Sequence, residues 1–184
     1  MLRTIAVAAG AFALVACGQQ ATQTETAEAP PSPELPAPTA PAASDAEFVQ
    51  AAANADAFEI QSSELAATRA ARQDVKNFAT MMLRDHRATT SELTALAPRI
   101  NLAAPTPQLD ATHSARLDAL REARGEAFDD AYLDAQTETH ENAVRAFETY
   151  IASAQAGPLR DWATATLPKL RTHLSQVQAL ENAT

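Results

Sequence analysis

Beyond residue 18 this chain contains only two glycines, Gly125 and Gly157, and that scarcity limits its fold more than any other feature. Tight hairpins, bulges and sheet corners rely on residues that tolerate unusual backbone angles, and a strand-rich sandwich or barrel of this size would need many of them. The apolar content points the same way. It is 46% of the sequence with only 5% aromatic residues, so it is carried largely by alanine and leucine, both strong helix formers. Long helices with few interruptions are what such a composition can build.

Helical spacing begins at Asp45. Ser44-Asp45-Ala46-Glu47 has the form of a capping box, and Phe48, Ala52, Ala55, Phe58, Glu59, Ser62 and Leu65 then recur at steps of three and four, predicting a helix over about 45–69. The phase resets near Arg72-Gln73-Asp74. Val75, Phe78, Ala79, Met82, His86, Thr89, Leu93 and Leu96 mark a second helix, which Pro98 is expected to end. A loop follows, with Thr106 as expected N-cap and Pro107 as first residue of a shorter helix over about 107–124 that stops at Gly125. The next helix, about 126–155, carries Phe128, Tyr132, Leu133, Val144, Phe147 and Ile151, and Gly157-Pro158 supplies a stop and a start. Leu159, Trp162, Ala163, Thr166, Leu170, His173, Val177 and Leu180 belong to the last one. Val75-Lys76-Asn77-Phe78-Ala79-Thr80 is echoed by Leu159-Arg160-Asp161-Trp162-Ala163-Thr164, as two helical hairpins of similar pattern would be. The expected fold is all-α: an antiparallel four-helix bundle over residues 45–184, with a short extra helix in the crossover between the hairpins.

The first 44 residues read differently. Met1 to Arg3 is a basic start and Thr4 to Val15 an apolar run, shorter than the ~20 residues a membrane-spanning helix needs, so residues 1–16 are expected to be a signal peptide. Leu14-Val15-Ala16-Cys17-Gly18 resembles the lipobox of bacterial lipoproteins. That resemblance implies that Cys17, the sole cysteine, becomes the lipid-bearing first residue of the mature chain and that a membrane is its partner through that lipid. Gly18 replaces the aspartate that favours inner-membrane retention in such proteins, which directs the expectation to the outer membrane, facing the periplasm. Residues 17–44 hold six of the eleven prolines and no apolar periodicity, and read as a semi-extended linker. A formal charge of −9 offers no positive field for phosphates and argues against nucleic acid as a partner.

Chemistry concentrates on the histidines. His86 lies 15 residues after the first hairpin turn, near residue 71, and should face Asp56, with Glu59 one turn closer to that turn. His173 lies 16 residues after the second turn, near 157, and His140 lies 17 before it. At about 1.5 Å per residue the three sit within a few ångströms of one level if both turns lie at the same end of the bundle. All three are also on apolar seams. Neutral imidazoles with a carboxylate, Glu59 or Asp56, would suit a divalent transition metal such as zinc, copper or iron. Alternatively they are polar seam residues hydrogen-bonded to Asp56, Glu59, Asp85 or Glu138 that help to set register. Residues three before the histidines are Leu83, Thr137 and Leu170, so the Glu-x-x-His pairs of carboxylate-bridged di-iron sites are missing. Met82, one turn before His86, reads as core, and His113, on the short helix, as a surface residue. Asp129-Asp130 and Arg69 to Arg72 read as solvated helix ends. No glycine-rich phosphate loop, dinucleotide fingerprint or nucleophile elbow occurs.

Several motifs combine into a resemblance. Phe48-Val49, Glu59-Ile60 with Leu65-Ala66, Val75-Lys76-x-Phe78-Ala79-x-x-Met82-x-x-Asp85-His86, Phe128-Asp129-x-x-Tyr132 with His140, and Thr166-Leu167-Pro168-x-Leu170-x-x-His173-Leu174 resemble a family of ferritin-like bacterial domains of unknown function labelled outer membrane proteins. The resemblance implies a ferritin-like bundle with interior histidines and supplies no activity. Thr139-His140-Glu141 departs from the Asp-His common in that family. The expectation is a lipid-anchored envelope protein that binds a transition metal and is a binding module rather than an enzyme, with a metal-free structural or protein-interaction lipoprotein as the alternative.

Overall fold

A computed structural model describes residues 44–183, and over these the chain is helical, without strands. Five helices follow in order: α1 (Asp45–Arg69), α2 (Gln73–Arg99), α3 (Ala111–Glu122), α4 (Glu126–Ser153) and α5 (Pro158–Glu181). None is long and apolar enough to cross a membrane. The readings for residues 1–43, including the signal peptide, Cys17 and nearly all of the linker, lie outside the described residues.

The helix limits follow from local chemistry. Ser44 and Glu47 close the expected capping box, Ser44 Oγ accepting from the Glu47 amide at 3.3 Å and Glu47 Oε2 accepting from the Ser44 amide at 2.8 Å. Pro158 occupies the first turn of α5, where its missing N–H costs nothing. Two expectations are corrected. Pro98 lies inside the last turn of α2, which runs on to Arg99 and is stopped by Asn101, two residues further, whose φ of 61° makes the left-handed turn. Leu102 N donates to Ala97 O and Asn101 N to Pro98 O, the paired bonds of a Schellman motif. α3 starts four residues later than expected, capped by Asp110 rather than Thr106. The peptide groups around Thr106 are already held by α1: Gln50 bonds both the amide and the carbonyl of Thr106, and Asn54 accepts from the Gln108 amide. Gly125, expected as a stop, serves as the N-cap of α4 at φ 60°, a conformation that favours glycine.

α1 packs mainly on α2, and α4 on α5. Two apolar clusters mark opposite ends of the bundle. One joins Phe48, Leu93, Phe147, Tyr150 and Leu159, and the other joins Ala70, Val75, Phe78, Phe128, Tyr132 and Val177. The α1–α2 turn belongs to the second cluster and the α4–α5 turn packs on the first, so the two turns lie at opposite ends. Segment 101–125, with α3, carries the chain from one end to the other and covers Phe58 with Leu117. Asp129, expected at a solvated end, is 1% exposed and accepts from the amides of Ala71 and Arg72 at 2.8 Å, so it caps the α1–α2 turn from another hairpin. Arg69 beside it is not simply solvated either: its guanidinium donates to Arg121 O and Ala123 O and lies over the Phe128 ring.

Candidate metal centre

Between the apolar ends, each long helix turns polar on its inward seam. α1 contributes Asp56, Glu59 and Ser62, α2 His86 and Thr89, α4 Gln136, Thr139 and His140, and α5 Thr166 and His173, all of them buried. The steps of three and four that make the seam apolar elsewhere put these residues inside as well.

The three histidines meet. Their ring centroids are 5.4–5.6 Å apart, and one ligating nitrogen from each lies within 4.8 Å of the other two. They share a layer although the turns do not share an end. His86, His140 and His173 are each 15–17 residues from a turn in helices of 24–28 residues, near the middle, so the level is similar counted from either end.

Each imidazole is held through one nitrogen. His86 Nδ1 pairs with Asp56 Oδ1 at 2.7 Å, and Asp56 Oδ2 accepts from Thr90 at 3.0 Å. His173 Nε2 pairs with Asp85 Oδ2 at 3.0 Å, and Asp85 is gripped by the Arg84 guanidinium. His140 Nδ1 donates to the Gln136 carbonyl at 2.9 Å. The remaining nitrogens, His86 Nε2, His140 Nε2 and His173 Nδ1, are buried without a partner, as are both oxygens of Glu59, Gln136 Oε1 and Thr139 Oγ1. Among the described residues every unpartnered buried side-chain polar atom belongs to this layer. Carboxylates and carbonyls accept, so each acceptor places the proton on the nitrogen it holds and turns the other ring lone pair inward when the ring is neutral, the arrangement that orients metal-binding histidines.

Electrostatics separates the three rings. Burial drives His140 down to about 3 and His173 to about 4, with the charge of His86 pushing the same way and Asp85 opposing at His173. Burial also opposes charge on His86, but Asp56, Glu59 and Asp85 outweigh it and hold that ring above its ordinary value. Glu59 is 1% exposed. Burial pushes its carboxyl up to about 7, against the pull of His86 and the Gln136 side chain. A cavity of about 20 Å³ adjoins Asp56, Glu59, His86, Thr139 and His140, room for about one water or one ion. Metal–imidazole bonds of about 2.0–2.1 Å put ligating nitrogens about 3.3–3.6 Å apart, so separations of up to 4.8 Å would close by up to about 1.5 Å.

Of the residues singled out in the sequence, His86, His140, His173 and Glu59 share this layer, and Asp56 stands behind His86 rather than free beside it. Glu59 Oε1 lies 3.8 Å from His140 Nδ1. Asp85 holds His173, whereas Glu138 faces away and pairs with Arg116. Met82 packs in the apolar cluster at the α1–α2 turn. His113 is half-buried rather than on the surface, its ring 4.9 Å from Phe58. Gln136, whose carbonyl fixes His140 and whose amide donates to Ser62 at 3.2 Å, left no signal in the sequence beyond its seam position.

The family described as "Domain of unknown function (DUF4142)" matches residues 30–180. No curated protein matches the sequence. Solved structures share the fold at low identity. A DUF305 fragment from Deinococcus radiodurans aligns with TM-score 0.66 at 16% identity, over 78% of this chain and all of that one. CopM in the Cu(II)-bound form gives 0.65 at 17%, over 76% and 97%. A DUF305 protein from Streptomyces coelicolor gives 0.62 at 13%, over 72% and 88%.

Proposed function

We propose, for a chain that belongs to the DUF4142 family, that the bundle binds a single transition-metal ion, copper foremost, through His86, His140 and His173 in its buried middle layer. One observation carries the reading: three histidines from three helices, each with one nitrogen held by an acceptor and the other unpartnered, bring one ring nitrogen apiece within 4.8 Å of one another. Seven unsatisfied buried polar atoms in one layer are costly to leave without a guest. Glu59 is the fourth ligand in this reading, and Asp56 and Asp85 orient the rings behind it. The copper-bound forms of CopM, which share this fold, support copper over zinc or iron. A cavity with room for one ion supports binding rather than turnover. We read the four long helices as an antiparallel ferritin-like bundle, tethered by residues 17–44 to a lipid on Cys17 after loss of residues 1–16, on the periplasmic side of the outer membrane; Cys17→Ser should release the chain from the membrane fraction.

Isothermal titration of the full chain with Cu(II), backed by elemental analysis, tests the centre. One copper per chain is expected, lost in His86→Ala, His140→Ala and His173→Ala. Wild-type protein without stoichiometric metal would sink the proposal. A second reading rests on the pairs His86–Asp56 and His173–Asp85, which half-satisfy two of the rings without metal and can set helix register in a structural or partner-binding lipoprotein. That reading expects no change in thermal stability with chelator.

A further inference from the structure

A second, larger hollow of about 170 Å³ lies outside the histidine layer, between α1 and α4 and beside the N-terminal end of α3. It shares Ala52, Ala55, Thr139, Ala143 and Phe147 with the small cavity beside the histidines, so the two hollows are neighbours through one wall. On that wall α1 and α4 oppose alanines, Ala52 and Ala55 against Ala143, with Thr139 and Phe147 beside them. Thr139 stands in it. This residue is 5% exposed, and its Oγ1 is buried with no hydrogen-bond partner, an oxygen available to a polar guest passing between the hollows. On the outer side the hollow is lined by Asn142 and His113. Asp110 engages His113 Nδ1 at 3.0 Å and Phe58 backs the ring at 4.9 Å, which leaves Nε2 as the nitrogen for a ligand. The side chain is 18% exposed, enough to meet solvent.

We propose that this α1–α4 hollow is the route by which the metal ion reaches and leaves the histidine layer, with His113 as its first protein ligand. The inference rests on the metal-binding reading above and adds direction to it. Hydrated ions would exchange a water for His113 Nε2, release that nitrogen for the Thr139 hydroxyl, and give up this oxygen and the remaining waters for the three inner imidazoles and Glu59. No electron moves, and each step swaps one donor for another. α2 and α5 supply the far wall, where Asp85 and Arg84 close the surface behind His173.

An obstruction on a route raises the barrier equally in both directions and leaves the affinity unchanged, which separates it from damage to the ligands. Trp162 is the sole tryptophan, so stopped-flow quenching of its fluorescence by Cu(II), and its recovery on adding chelator, reads both rates in the full chain. Ala51→Leu and Ala146→Leu, exposed residues that line the outer hollow but not the small cavity, are expected to slow uptake and release at least tenfold with Kd and one-copper stoichiometry preserved, and His113→Ala should slow both about threefold. Ala165→Leu, exposed on α5, should load at the wild-type rate. Unchanged rates in the α1–α4 variants, or equal slowing in Ala165→Leu, overturn the route while leaving the centre standing. A wild-type chain that takes up no copper overturns both.

Discussion

Around the α4–α5 turn, Phe48 lies flat against Tyr150 with centroids 3.8 Å apart, Phe147 meets its edge at 4.9 Å, and the Tyr150 hydroxyl donates to Asp45 at 2.7 Å. Half-way along the same helices, seven buried polar atoms have no partner. The same seam spacing produces both regions, so the difference lies in which residues fill it. Apolar and fully satisfied at its ends, the bundle draws its cohesion there, and the middle is left as a cluster of donors held in place by the structure on either side.

The largest test of that division is Phe128→Ala. Phe128 is 0% exposed in the cluster that holds the α1–α2 turn, and its loss should lower unfolding free energy by about 3–5 kcal/mol in denaturant titrations. Copper stoichiometry should stay at one under native conditions. Loss of metal together with the core residue would show that the ends and the middle are not separable.

Acid and base probe the middle alone. In the metal-free chain His140 and His173 sit at about 3 and 4 when folded, against 6.5, so their contribution is whole above pH 6.5 and is lost as pH falls through 4 and 3. Glu59 runs the opposite way. At about 7 when folded against 4.5, its contribution is whole below 4.5 and is lost as pH rises through 7, where the raised His86 adds to the loss. The layer's contribution should therefore peak near pH 6.5. Between 6.5 and 4.5 the unfolded chain binds one net proton more, a slope of roughly 1.4 kcal/mol per pH unit; between 4.5 and 4 it binds two, which doubles the slope, and below 4 the difference returns to one as folded His173 takes up its proton. Urea midpoints across pH 3.5–8 check this, and a flat profile would show that the layer is solvated. The smallest effect sharpens the comparison further. Glu59→Leu replaces an unpartnered buried carboxyl with a side chain of similar size. It should raise the stability of the metal-free chain at pH 8 by about 1 kcal/mol while weakening copper binding. A destabilised variant with unaltered affinity would make Glu59 a structural residue.

Much of this layout was legible because the breaks were. Once the α1–α2 turn was placed near residue 71, counting outward put His86 opposite Asp56, and the two are hydrogen-bonded. The two turns lie at opposite ends, but residues at mid-helix lie at one level either way. What could not be read depends on chain segments far apart in sequence. Asp129 reaches the amides of Ala71 and Arg72 across two hairpins, and nothing in its neighbours distinguishes it from exposed Asp130. Thr106 reads as the cap of α3, yet Gln50 and Asn54, more than fifty residues earlier, already satisfy the backbone it would cap. His113 reads as solvated because its apolar neighbour, Phe58, comes from α1.

The chamber beside the histidines, at about 20 Å³, is too small for an aqua complex. Whatever lodges there must arrive bare, so admission would be decided by how readily an ion sheds its hydration shell as much as by how tightly nitrogen binds it. Magnesium, which parts with its waters reluctantly and prefers oxygen, would be turned away on both counts. The narrowness of the bundle's interior would then act as a filter before any inner imidazole is engaged.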